Sequence, residues 1–262
     1  MQFQDIIYEK AEGIATITIN RPEVRNAFRT PTVDELIAAF QDAWWDHSVG
    51  AVIFTGAGDK AFCAGGDQSE RGASGYDTSA AGHEMNVEGL HSIIRNIPKP
   101  VIAAVNGFAI GGGHVLHVIC DISIASETAR FGQTGPRVGS FDAGYGSAYL
   151  ARVVGEKKAR EIWYFCRQYT AQEALQMGLV NAVVPADKLM DEARAWAKEL
   201  LQKSPTALKF LKYSFNADTA HIAGISNMAM SALELYYQTD EALEGVNAFN
   251  QRRPVDFSKF RK

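Results

Sequence analysis

Two short stretches of this 262-residue chain leave bare backbone where chemistry could take place. One is Phe62-Cys-Ala-Gly-Gly-Asp67. The other is Gly107-Phe-Ala-Ile-Gly-Gly-Gly113. Glycine lets a ligand approach the main chain closely. The second run also opens a helix, whose first N–H groups lack internal partners and favour negative charge. Two amide donors converging from separate turns make an oxyanion hole, and one such donor is worth about 3–4 kcal/mol to a transition state that builds negative oxygen. Either run alone reads as well as a tight turn; two of them, each after a buried strand, favour the donor reading. Two rival chemistries fit less well. Gly56-Ala-Gly58-Asp-Lys-Ala61 matches a dinucleotide fingerprint, but it runs into Phe62-Cys-Ala-Gly-Gly instead of a helix. His114 and His117 lie one helical turn apart, yet no third ligand stands at metal spacing, so no metal is expected.

The elements that must position these runs follow from periodicity. Ile6–Ile19 alternates like a hairpin with its turn at Glu12-Gly13. Thr32 is placed as a helix cap with Glu35 three residues on, ahead of Leu36, Ile37 and Phe40. Residues 51–55, 101–105 and 122–125 are short apolar runs of the buried, parallel kind. Helices are expected over 87–95 and 114–120, giving a right-handed βαβ succession. Residues 56–82 read mostly as loop. From about Glu156 the chain reads as helical, with Ser204-Pro205 as a cap and first-turn proline.

Composition limits the function classes. Apolar residues make up 47% and charged residues 21%, the balance of a globular protein with a sizeable core. A net charge of −4 argues against nucleic-acid binding. No apolar run is long enough to span a membrane, and the start MQFQDIIYEK lacks a signal core. Cys63, Cys120 and Cys166 are scattered and odd in number, as expected of reduced thiols. These features predict a cytoplasmic protein.

At the glycine runs, and across nearly the whole chain, the sequence resembles the crotonase (enoyl-CoA hydratase/isomerase) superfamily. The resemblance is carried by Asn20-Arg-Pro-Glu-Val-Arg-Asn-Ala-Phe28, by Ala61-Phe-Cys-Ala-Gly-Gly-Asp67, by Lys99 to Gly113, and by Cys120-Asp121 followed by Phe131-Gly132. It implies an α/β fold, a spiral of ββα units over 1–200 holding the CoA site, with a helical region at 201–262 that covers the site and contacts neighbouring subunits. It also implies a homo-oligomer, trimer or dimer of trimers, an acyl-CoA thioester as substrate with no tightly bound cofactor, and Gly66 and Gly112 as the two thioester-oxygen donors.

The departures from the family pattern narrow the chemistry. Where hydratases carry two glutamates, this sequence has Val115 and Gly135, neither able to transfer a proton. The segments Gly135–Gly146 and Ala159–Tyr169 resemble instead the 1,4-dihydroxy-2-naphthoyl-CoA synthases, which close a ring of o-succinylbenzoyl-CoA by Claisen (Dieckmann-type) condensation in menaquinone biosynthesis. That resemblance implies that Asp142 and Ser140 face the reacting carboxyl or carbonyl, that Tyr76 stabilises or protonates an oxyanion, and that Tyr237 reaches into a neighbour's site. Gly135 would leave a hole, which in one branch a bicarbonate base fills, held by Gln133, Thr134 and Trp163. Arg25 and Arg71 resemble CoA phosphate contacts, with Arg252 from an adjacent subunit; Ala64, Asp67 and Gln68 line the CoA path. The segments Thr219–Ile225 and Ser79–Gly89 resemble equally the 2-ketocyclohexanecarboxyl-CoA hydrolases, which open a ring by the reverse chemistry with water and would reuse the same oxyanion hole, Asp142 and Tyr76.

Overall fold

The computed structural model describes residues 3–72, 75–76 and 82–261; Ser79, Ala80 and Ala81 of the segment compared above lie outside the described residues. The chain opens with the expected hairpin, β1 (Ile6–Ala11) and β2 (Ile14–Ile19), then α1 (Thr30–Trp45) and β3 (Ala51–Gly56). Short strands β4 (Ala61–Cys63), β5 (Arg71–Gly72) and β6 (Gly75–Tyr76) precede α2 (Val87–Asn96). β7 (Val101–Val105), β8 (Phe108–Ile110), α3 (Gly112–Val118), β9 (Ile122–Ser126) and β10 (Arg130–Gly132) follow. A π-helical turn over Tyr145–Tyr149 leads into α4 (Leu150–Val154) and α5 (Glu156–Phe165). β11 (Gln168–Thr170), α6 (Ala171–Gln176), β12 (Ala182–Val184), α7 (Leu189–Leu201), α8 (Pro205–Asp218), α9 (His221–Tyr237) and α10 (Asp240–Asn250) complete the chain.

Two sheets carry the fold. Six strands run in the order β1-β2-β3-β7-β9-β12, and four in the order β11-β10-β8-β4. From β2 to β12 the larger sheet is parallel, and its central strands are buried on both faces, which is why they read as unbroken apolar runs. Phe54, Val101 and Ala103 pack on one side with Leu36 and Phe40 of α1; Ile53, Ile102 and Ile124 pack on the other with Ala193 and Ala197 of α7. Phe54 meets Phe40 and Phe62 edge to face at 5.5 and 5.2 Å. A fully buried phenylalanine of this kind stabilises the fold by about 2–3 kcal/mol.

Buried polar groups fix the loops that the sheets bring together. The Asn26 amide donates to Ala57 O and Ala61 O and accepts the Arg21 N–H, so the Asn20–Phe28 segment is tied to the start of β4. Asp121 accepts the Val101 N–H at 2.8 Å and pairs with Lys212 of α8 at 2.7 Å, which fastens the C-terminal helices to the sheet.

Three expectations are corrected. α1 begins at Thr30, not after Thr32, because the Thr32 hydroxyl sits inside the first turn, accepting the Arg29 N–H and donating to Asp5, while Glu35 takes the amides of Gln4 and Asp5. The region after Glu156 is not wholly helical, since β11 extends the smaller sheet and β12 the larger. Residues 56–82 are more structured than loop, because β4 pairs in parallel with β8 and β5 pairs with β6.

Candidate active site

β4 and β8 lie side by side, so the turns that leave them meet. Phe28 bridges the first turn: its N–H donates to Gly65 O at 2.9 Å, and its carbonyl accepts the Asp67 N–H at 2.8 Å. That pairing uses the residues on either side of Gly66 and leaves the Gly66 N–H with no acceptor among the described residues. In the second turn the Gly111 N–H is spent on Gly132 O, and Gly112, the first residue of α3, likewise has an N–H without an acceptor there. The turns touch closely enough that a methyl on Gly112 would lie 2.7 Å from the Phe28 ring and 3.5 Å from Gly65 Cα. Gly66 and Gly112 both line a cavity of ≈ 230 Å³.

The facing wall is made of side chains. Asp142, Ser140, Tyr76, Tyr237, Gln68 and Ala64 line the same cavity. The Asp142 carboxylate accepts the Gly146 N–H at 3.0 Å from the π-helical turn. Burial raises its pKa to about 6, with the Gly146 N–H opposing the shift. Ser140 Oγ and Tyr237 Oη lie 3.0 Å apart, and Gln68 Nε2 donates to Tyr76 Oη at 3.0 Å. Burial pushes the pKa of both phenols up, so they remain protonated hydrogen-bond donors. The Tyr76 hydroxyl sits directly over Gly66, where a methyl would collide with it.

Several expected roles are redirected. Tyr237 reaches the cavity of its own chain rather than projecting away toward a neighbour's. Arg71 is buried, stacks on the Tyr237 ring at 4.1 Å and donates to Val138 O and Gly139 O, which leaves it no reach to a CoA phosphate. The Asp67 carboxylate is held by Arg21 and Ser69, away from the cavity. Arg25 is exposed beside Phe108, with its carbonyl accepting the Ala64 N–H; Arg252 is exposed beyond α10.

Gln133, Thr134, Gly135 and Trp163 are brought together on one wall. The Trp163 indole N–H is donated to Gly146 O at 2.6 Å, and a side chain on Gly135 would be crowded, since a Cβ there would lie 2.7 Å from Ser140 O and 3.0 Å from the Trp163 ring. Val115, the other hydratase-glutamate position, is fully buried in the hydrophobic core. No cluster of three His, Cys, Asp or Glu among the described residues could hold a metal; His114 and His117 meet edge to face with ring centroids 4.9 Å apart.

His91 was not foreseen. It is buried, lines the cavity from α2, and has its pKa lowered by burial to about 4, so it is a neutral imidazole. A lone histidine in a helix gives no sequence signal that would single it out. Glu84 and Glu234 also line the cavity, but both are exposed and stand at its mouth.

A family model described as enoyl-CoA hydratase/isomerase matches residues 9–260, and the chain belongs to that family. Among solved structures it is similar to an enoyl-CoA hydratase from Mycobacterium avium subsp. paratuberculosis K-10, at 28% identity and a TM-score of 0.87 over 98% of this chain and 100% of that one. It is also similar to an enoyl-CoA hydratase/isomerase from Pseudoalteromonas atlantica T6c, at 26% identity and a TM-score of 0.88 over 97% and 100%. A monofunctional enoyl CoA isomerase from M. smegmatis matches at 30% identity and a TM-score of 0.71 over 82% and 94%. The architecture is therefore the α/β crotonase fold, and the chain is an acyl-CoA enzyme of that superfamily. No helix among the described residues is long and apolar enough to cross a membrane.

Proposed function

We propose that this enzyme breaks or makes a carbon–carbon bond next to a CoA thioester, and that it works in the ring-opening direction on a cyclic β-keto acyl-CoA of the 2-ketocyclohexanecarboxyl-CoA type. One observation carries this reading: among the described residues Asp142 supplies the cavity's enclosed carboxylate, and the amides of Gly66 and Gly112 have no acceptor there, while the hydratase positions hold Val115 and Gly135. The thioester oxygen sits between the N–H groups of Gly66 and Gly112. Asp142, ionised above pH about 6, takes a proton from water as the water oxygen bonds to the ring ketone carbon. The alkoxide formed there accepts hydrogen bonds from the phenols of Tyr76 and Tyr237. Collapse of that adduct breaks the bond to the thioester α-carbon, and the electron pair enters an enolate whose oxygen rests on the two amides. Asp142 returns its proton to the α-carbon. The products are an open-chain acyl-CoA and a carboxylic acid, which ionises by releasing its remaining proton to solvent.

Ring closure of o-succinylbenzoyl-CoA to 1,4-dihydroxy-2-naphthoyl-CoA is the second reading. It is favoured by Gln133 and Thr134 lining the wall beside Gly135, and weakened by the Trp163 donor that a bicarbonate base would need being spent on Gly146. The deciding experiment is turnover of both thioesters by the purified enzyme, with and without bicarbonate. Ring opening without bicarbonate is expected; ring closure alone would select the second reading, and turnover of crotonyl-CoA alone would reject both.

We also propose a homo-oligomer, trimer or dimer of trimers. Phe210 and Phe215 of α8 and Leu235 of α9 are 62%, 74% and 68% exposed, an apolar surface that subunit contact would cover. Light scattering of a purified sample checks this, and a monomer at micromolar concentration would contradict it.

A further inference from the structure

α2 separates two cavities. Val87 and His91 line the reaction cavity, while Glu88, Ser92 and Arg95 line a second, open one of ≈ 590 Å³ between α2, α8 and α9. Arg95 is the unusual group in it. A guanidinium stays charged at every accessible pH, and buried charges are normally paired. Lys212 obeys that rule: it is as buried as Arg95 and holds Asp121 at 2.7 Å. Arg95 is only 6% exposed, yet among the described residues it forms no ion pair. Its guanidinium donates to Thr219 Oγ1 at 2.8 Å and lies over the rings of Tyr149 and Tyr145 at 4.4 and 6.0 Å. Thr219 and the neighbouring Tyr145 hydroxyl engage part of its donor fork, and Arg95 lines the cavity. The other polar groups lining it among the described residues are amides and hydroxyls, from Asn96, Tyr213 and Ser226 among others, and one carboxylate, Glu88, which makes no ion pair with Arg95 and which burial and Glu234 push toward its protonated form.

We propose that this second cavity binds a small anion through a carboxylate or phosphate group held by the Arg95 fork. Planar oxyanions match the two parallel donors of a guanidinium. The neighbouring amides and hydroxyls satisfy the remaining oxygens, and the tyrosine rings close the cation's other faces. The inference stands on α2, α8 and α9 and does not depend on which acyl group the enzyme turns over.

The test is calorimetric titration of the intact oligomer with inorganic phosphate and, separately, with glutarate, at constant ionic strength against sodium chloride. Saturable binding of at least one anion is expected, with about one site per chain, and Arg95→Gln weakens it by about tenfold or more. Which anion binds more tightly identifies the source. Thr219→Val, which removes the hydrogen bond to Arg95 but keeps the charge, retains binding within about threefold. Ala223→Trp, which adds bulk at an exposed lining position on α9 and keeps Arg95 itself, should weaken binding by about tenfold or more and keep the thermal midpoint; it serves as the test if Arg95→Gln does not fold. Absence of saturable binding to wild type, or binding unchanged in Ala223→Trp and Arg95→Gln, overturns the proposal.

Discussion

Gly66 and Gly112 offer main-chain amides from turns that the parallel pair β4 and β8 holds side by side, whereas Asp142, Ser140, Tyr76 and Tyr237 offer side chains from a loop, a short strand and a helix end. The first wall is positioned by sheet hydrogen bonds and a fully buried core. The second is positioned by a few polar contacts: Gly146 on Asp142, Ser140 on Tyr237, Gln68 on Tyr76, and Arg71 bracing both the 138–139 carbonyls and the Tyr237 ring. Chemistry placed on backbone cannot be altered without altering the fold. Chemistry placed on side chains can be changed while the fold stands, and this is how one family pattern can carry different reactions on one oxyanion site.

The largest effect expected from this contrast is at Gly113, behind the amide wall, where a methyl would collide with the Cys63 carbonyl. Gly113→Ala should cost about 3 kcal/mol or more in denaturant unfolding and remove activity with it; an active variant of normal stability would show that the wall yields. Asp142→Asn should do the opposite, lowering kcat by roughly 10²–10⁴-fold with little change in KM and a native fold. The pH dependence has a definite sign. The folded pKa of Asp142 lies above the usual 3.8, at about 6, so kcat/KM should climb through about pH 6 in the wild type and lose that limb in the variant. The same raised pKa makes folding favour the protonated carboxyl. Its stabilising effect is full below about pH 4 and lost as pH rises through about 6. Asp142→Asn should therefore be more stable than wild type at pH 8, by on the order of 1–3 kcal/mol, and not at pH 4.

Smaller effects test the braces of the side-chain wall. Tyr237→Phe removes one of the two phenol donors to the alkoxide and the Ser140 contact but keeps the ring over Arg71, and should slow turnover by about threefold to tenfold, the worth of one hydrogen bond; an unchanged rate would mean that the Tyr237 phenol does not reach the alkoxide. The smallest expected change is the response to bicarbonate. With the Trp163 N–H already donated, steady-state rates should move by less than about twofold across a bicarbonate titration, and strong activation would mean that the Trp163–Gly146 hydrogen bond opens during turnover.

How far these two walls could be read from sequence follows the same division. The glycine runs are local in sequence and lie between apolar strands whose limits are plain: residues 101–105 were expected as a strand and are β7, and 51–55 differs from β3 by one residue. The side-chain wall depends on partners far along the chain. Arg71 looked like a phosphate ligand because nothing near it in sequence announces Val138 and Gly139, and Trp163 looked like a free donor because Gly146 lies 17 residues away. β11 and β12 escaped notice because three residues carry no period, and the π-helical turn at Tyr145 has no simple sequence sign. Thr32 and Glu35 form a convincing capping pattern, yet tertiary contacts with the N-terminal segment claimed both side chains.

The direct test of the paired-amide site is the infrared carbonyl stretch of a ¹³C-labelled acyl-CoA thioester, bound to the enzyme and free in solution. Two hydrogen bonds from Gly66 and Gly112 should polarise the carbonyl and move the band to lower frequency, and the shift should persist in Asp142→Asn, where chemistry is slowed but both amides remain. A band at the solution frequency in a saturated complex would contradict the account, because it would mean that the thioester oxygen does not lie between those amides.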